Sequence, residues 1–170
     1  MGAYRMVYHP PKLAIYVDGA NIDISSKVVG IHIDYARLRA FLGGKRQIAL
    51  TNYYNSKSID PGEQAFYKRV ENAGFTLSLG PRKRQNKPQK ETDVQIAVDM
   101  ISGAYDNSFD IALLVPGDGD LAPAVRKLLS MNKLVEVASF DHPVRREFSW
   151  SLKSIASRTI DLTVNMQKFT

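Results

Sequence analysis

Short apolar runs bounded by turn residues alternate along this chain with longer stretches whose apolar side chains recur every three or four positions. Leu13-Ala-Ile-Tyr-Val-Asp18 is such a run, ending on an acid, and reads as a buried strand. Ala20 to about Val29 reads as a short helix or turn. Asp34 suits the N-cap of a helix through Leu42, with Tyr35, Leu38, Phe41 and Leu42 on one side and Gly43-Gly44 as its stop. Ile48 to Tyr54 is rich in β-formers and predicts a second strand. Asp60-Pro61 opens a helix that runs to Asn72 and closes at Gly74. Phe75 to Leu79 is a third strand, stopped by Gly80-Pro81.

Thr92 opens a helix to about Tyr105, in which Asp93, Ile96, Ala97, Met100, Ile101 and Ala104 share a face. Asp110 to Val115 is nearly all apolar, as a central parallel strand requires. Asp120 is expected to cap a helix through Met131, and Leu134 to Phe140 to form a fifth strand. Val144 to Ser157 reads as a last helix with Trp150 in the core, and Thr159 to Val164 leaves room for a short sixth strand. Strand and helix in strict alternation predict an α/β domain with a mostly parallel sheet and right-handed crossovers. One domain is expected over residues 13–164, with an extension at 1–12 and a tail at 165–170.

Composition narrows the class. The 170 residues, 44% hydrophobic and 24% charged, suit one globular domain rather than a disordered, collagen-like or repeat protein. With no cysteine there is no disulfide, Cys-ligated zinc or iron–sulfur cluster, which suits a reducing compartment, and the cytoplasm is the expected location. No apolar run approaches the ~20 residues that cross a bilayer. Residues 1–12 carry Arg5, His9 and two prolines without an apolar core, so they do not read as a signal peptide, and Met6 argues against myristoylation.

The net charge of +6 is local: Arg82, Lys83, Arg84, Lys87 and Lys90 place five cations in nine residues without an acid. A basic patch on a near-neutral body points to a polyanionic partner, although a solvated loop has the same composition.

The acids sit where ligands bind in an open α/β sheet, beyond the carboxyl ends of the strands near the switch point. Asp18 ends the first strand, Asp118 and Asp120 follow the fourth in Pro116-Gly-Asp-Gly-Asp120, and Asp93 opens the helix after the basic stretch. Such carboxylates repel by about 4 kcal/mol per pair at 4 Å and an effective dielectric near 20. A divalent cation offsets that repulsion, and an all-oxygen set without histidine favours Mg²⁺ or Mn²⁺ over zinc. Each acid also has an ordinary reading: strand end for Asp18, helix-end charge for Asp93, turn for Asp118, N-cap for Asp120. Asn21 could merely cap its own helix. Asp99 stands roughly 120° around the helix from Asp93 and reads as a supporting or structural residue rather than a ligand.

Other chemistries fit less well. Gly117-Asp-Gly-Asp-Leu-Ala122 matches a dinucleotide-binding G-x-G-x-x-A, but it follows the fourth strand and would set two aspartates against a pyrophosphate. There is no Walker A, nucleophile-elbow or HExxH motif, and His9, His32 and His142 are scattered. Tyr53 and Tyr54 could stack on unpaired bases, but strand packing is the better reading, and Arg126 and Lys127 read as a solvated face.

Three segments together carry a family resemblance: Ala14-Ile-Tyr-Val-Asp-Gly-Ala-Asn21, Glu91-Thr-Asp-Val-Gln-Ile-Ala-Val-Asp99 and Leu114-Val-Pro-Gly-Asp-Gly-Asp-Leu-Ala-Pro123. In this order they resemble the NYN domain family, of the PIN-like nuclease superfamily, in its LabA-like subgroup. Trp150-Ser-Leu-Lys-Ser-Ile-Ala156 is similar to the group's final helix. The resemblance spans about Leu13 to Leu162 and implies a three-layer, Rossmann-like domain with strand order 3-2-1-4-5. It also implies a divalent-metal ribonuclease with Asp18, Asp93, Asp118 and Asp120 as the acidic set and Asn21 as helper. The substrate it implies is RNA, and homodimers are common among PIN-like domains; on the reading of the residues, Arg82 to Lys90 would bind flanking phosphates, with single-stranded RNA favoured. Pro116 stands where the family often has Ser, and Leu121 where it often has Phe. Some relatives have no demonstrated nuclease activity, so a binding module that has lost turnover is the alternative.

Overall fold

The computed structural model describes residues 10–81, 90–117, 119–141 and 149–170. In chain order the elements are β1 (Lys12–Asp18), α1 (Gly19–Val28), α2 (Tyr35–Gly43), β2 (Gln47–Ser56), α3 (Pro61–Asn72) and β3 (Thr76–Gly80). Then come α4 (Lys90–Tyr105), β4 (Ile111–Val115), a 3-10 turn (Gly119–Leu121), α5 (Ala122–Ser130), β5 (Leu134–Ser139), α6 (Trp150–Lys153) and β6 (Arg158–Asp161). A second 3-10 segment, Thr163–Lys168, follows. The six strands form one sheet of order β3-β2-β1-β4-β5-β6 with every pairing parallel. The expected order holds, and the short sixth strand adds to the β5 edge.

The strands are apolar on both faces because helices cover both. Leu13, Ile15 and Val17 point into one core, built with Ile22 of α1, Leu38 and Leu42 of α2, and Tyr67 and Val70 of α3. Ala14 and Tyr16 point into the other, with Ile96 and Met100 of α4, Val125 and Leu128 of α5, and Leu152 of α6. This period-two division of β1 makes the three layers. Each fully buried Leu or Ile contributes about 1.5–3 kcal/mol.

Helix starts follow local chemistry where a side chain can reach the first turn. The Oδ1 atoms of Asp34 and Asp60 accept the backbone N–H groups of Arg37 at 3.0 Å and Glu63 at 2.9 Å. Three expectations are corrected. Asp120 does not cap a helix: it lies inside the 3-10 turn, and α5 begins at Ala122 behind Leu121 with no side-chain cap. Trp150 is 80% exposed, because the four-residue α6 has Leu152 as its buried position. Of the long last helix expected, that short segment is what the described residues contain, and residues 142–148 lie outside them. Tyr53 and Tyr54 are both buried and pack into opposite cores, so neither offers a face to a base.

Candidate metal and nucleic-acid site

β1 has β2 on one side and β4 on the other, so the strand order reverses beside it, and Asp18 is its last residue. Asp18 is only 4% exposed. Its Oδ1 accepts the backbone N–H of Asn21 at 3.1 Å, which caps α1 and fixes the carboxylate. α1 can start at the next residue because that residue is glycine: a Cβ at position 19 would collide with the Tyr53 ring.

The segment after β4 is pressed against this carboxylate. A Cβ at Gly117 would collide with Asp18 Oδ2, so glycine permits the approach. Asn21 ties the two together, donating from Nδ2 to the Gly117 carbonyl while its Oδ1 accepts from Ser25 Oγ at 3.0 Å. Asn21 thus works as a clamp between α1 and the post-β4 segment. Two residues on, Gly119 is backed by α6, where a Cβ would stand 2.7 Å from Ser149 Oγ and 2.8 Å from Ser151 Oγ. Gly117 is therefore pressed against Asp18, and Gly119 against the N-terminal end of α6.

Asp18 pairs in register with Tyr54 and, by strand alternation, shares the face of Tyr16, which α4 covers. Half-buried Asp93 lies in the first turn of α4, and exposed Asp120 lies in the 3-10 turn that packs on α4. Asp18, Asp93 and Asp120 thus belong to one edge and one face of the sheet. Among the described residues, no three Asp, Glu or His side chains are grouped so as to hold a metal ion. Asp118, the fourth acid of the expected set, lies outside the described residues, as do Arg82, Lys83, Arg84 and Lys87; Lys90 is described as the first residue of α4, without its side chain. The donor chemistry fits Mg²⁺ or Mn²⁺, being hard carboxylate oxygen throughout, and the Gly117 cradle leaves Asp18 Oδ2 unobstructed by a side chain at 117.

Under this edge runs a polar network. Tyr54 donates its hydroxyl to Asp99 Oδ2 at 2.8 Å, and Gln95 donates to Asp99 Oδ1 at 2.7 Å. Asn52 donates to the Tyr54 oxygen at 3.1 Å, and the Tyr54 ring stacks on Tyr16 at 6.5 Å between centroids. Asp99 therefore anchors α4 to the sheet. Burial, with the Asp99 carboxylate adding to it, pushes the Tyr16 and Tyr54 hydroxyls far above the ordinary phenol range, so both stay protonated.

Sequence reasoning missed Asp23. Its Oδ1 accepts from Tyr35 at 2.8 Å and its Oδ2 from Tyr53 at 3.1 Å. Burial raises its pKa, against the opposing pull of those two hydroxyls. Asp23 lines a cavity of about 890 Å³ between α1, α2 and α3, the largest described, on the far side of the sheet from α4. Its position five residues after Asp18 carries no pattern of its own, and its tyrosine partners come from other elements.

Comparison with known proteins agrees with this layout. The NYN domain family matches residues 12–163. The low amplitude and bright protein LabA of Synechococcus elongatus is 26% identical over 167 residues, covering 92% of this chain and 87% of LabA. A crystal structure of a protein of unknown function from Vibrio parahaemolyticus superposes with a TM-score of 0.81 at 26% identity, covering 95% of this chain and 96% of that one.

Proposed function

Since the chain belongs to the NYN domain family, we propose that it is a divalent-metal-dependent ribonuclease acting on single-stranded RNA. The observation that carries this reading is the buried Asp18 carboxylate at the sheet switch point, with Gly117 held against it by Asn21. That contact brings Gly117, which precedes Asp118 and Asp120 in the sequence, to the same strand end. Asp18, Asp93, Asp118 and Asp120 would hold one or two Mg²⁺ or Mn²⁺ ions. Bound there, the metal supplies Lewis acidity and charge neutralisation at the scissile phosphate. Asp18, held by its capping bond, would present a carboxylate oxygen to the metal from a fixed position. Asn21 holds the two acid-bearing segments at constant separation. Arg82, Lys83, Arg84, Lys87 and Lys90 bind flanking phosphates in a salt-sensitive way. The proposed setting is cytoplasmic, with a homodimer as an option. Among the described residues no helix is long and apolar enough to cross a membrane.

The second reading is an RNA- or protein-binding module of the same fold without turnover. Labelled single-stranded RNA separates the two. The nuclease cleaves it with Mn²⁺ or Mg²⁺, stops in EDTA, and loses cleavage in an Asp118→Asn, Asp120→Asn double variant. RNA binding that weakens steeply with salt, without cleavage under any metal, establishes the binding module instead.

A further inference from the structure

A small cavity of about 180 Å³ opens between the carboxyl ends of β2 and β3 and the first turns of α4. We propose that it is a nucleobase subsite that selects guanine in the RNA strand. The inference rests on the ribonuclease reading and deepens it.

Position comes first. Thr92 and Gln95 line the cavity and flank Asp93 on α4, and Tyr54, also in the lining, pairs in register with Asp18. A strand with a phosphate at the acids therefore places a neighbouring base here. The basic stretch also begins and ends in sequence at this rim, after Pro81 and before Glu91. Size comes next: the cavity is smaller than the roughly 300–1,000 Å³ of sites for larger ligands, and it suits one planar ring system. Leu79 and Pro81 supply apolar surface for that ring.

The polar groups then set the preference. Among the described residues Glu91 is the one acidic or basic side chain in the lining, so a neutral base is favoured there over a phosphate. Gln95 gives one amide N–H to Asp99 at 2.7 Å, which turns its nitrogen toward Asp99 and leaves its carbonyl oxygen as an acceptor beside a second N–H. Glu91 and Gln95 are one helical turn apart on α4, so two acceptors stand side by side. Single-stranded RNA is read on its exposed base edges. Guanine offers two adjacent donor positions, N1–H and the N2 amino group, whereas uracil offers one N–H between two carbonyls. The hydroxyls of Ser78 and Thr92 can meet either kind of group.

The test uses the full chain and uridine heptamers bearing a central guanosine, inosine, abasic residue or uridine. Binding is read by fluorescence anisotropy in EDTA, and cleavage of the same RNAs in Mn²⁺. The guanosine heptamer is expected to bind about fivefold or more tighter than the uridine and abasic ones, the span of a bidentate base contact, with inosine between. Glu91→Gln should flatten that ranking, and Ser78→Trp, which fills the cavity, should flatten it too. Equal binding of all four RNAs overturns the subsite, and cleavage then still stands or falls separately. A guanosine ranking without cleavage supports the subsite and overturns the nuclease. Free guanosine monophosphate that competes as well as the heptamer overturns the assignment to an RNA strand.

Discussion

A methyl group at position 117 would collide with the Asp18 carboxylate, so the close approach of the segment after β4 to β1, which Asn21 holds, requires glycine there. Gly117→Ala is expected to cost about 1–3 kcal/mol, the usual range for overpacking, since the obstacle is a buried, hydrogen-bonded carboxylate. Thermal denaturation reads this directly, and an unchanged melting temperature would show that the segment can move aside. Asp23 gives a residue-scale test of a different kind. Its pKa in the fold lies above its ordinary value of 3.8, so the folded state holds the proton more tightly than the unfolded chain does. That contribution is complete below pH 3.8 and is lost as pH rises through the folded pKa. Asp23→Asn stays neutral throughout. Its melting temperature relative to the native protein should therefore climb as pH rises from below 3.8 and level off above the folded pKa. A difference that does not vary with pH would contradict the assignment.

At the scale of elements, α4 carries Asp93 and is held down by Asp99, whose two oxygens accept from Tyr54 and Gln95. Tyr54→Phe removes one of those donors while keeping the ring that packs on Tyr16. The expected loss is about 1 kcal/mol of stability, the net worth of one hydrogen bond. Hydrogen exchange should rise in the first turns of α4, and unchanged protection there would mean that Asp99 does not anchor the helix. Helices with a reachable cap were legible in the sequence. Asp34 and Asp60 act on N–H groups three residues away, so their geometry is decided locally. Asp120 and Trp150 were not, because tertiary neighbours decide them. Asp120 is drawn into a 3-10 turn beside α6, and α6 is too short to bury more than Leu152.

Across the whole molecule, the apolar runs and their turns were enough to read a parallel α/β sheet, and the family resemblance supplied its order. The alternation of β1 between two cores accounts for the helices on both faces of that sheet. The placement of Asp18, Asp93 and Asp120 along one edge follows from the same topology, whereas the Asn21 clamp and the Asp99–Tyr54 anchor join residues far apart in sequence and leave no local pattern. The cavity of about 890 Å³ beside Asp23 lies on the other face, so following it alone would have pointed away from the acids.

The proposed ribonuclease requires Asp18 as a ligand of its metal. Asparagine caps helices as well as aspartate does, so Asp18→Asn should fold with α1 intact while losing an anionic ligand. The decisive measurement is the initial rate of single-stranded RNA cleavage against Mn²⁺ concentration for the native protein and for Asp18→Asn. The account predicts a saturable metal dependence in the native protein. It also predicts a loss in the variant beyond the roughly 10–100-fold that an outer-shell residue contributes, with an unchanged circular dichroism spectrum. Cleavage that needs no metal, or a variant as active as the native protein, would contradict it.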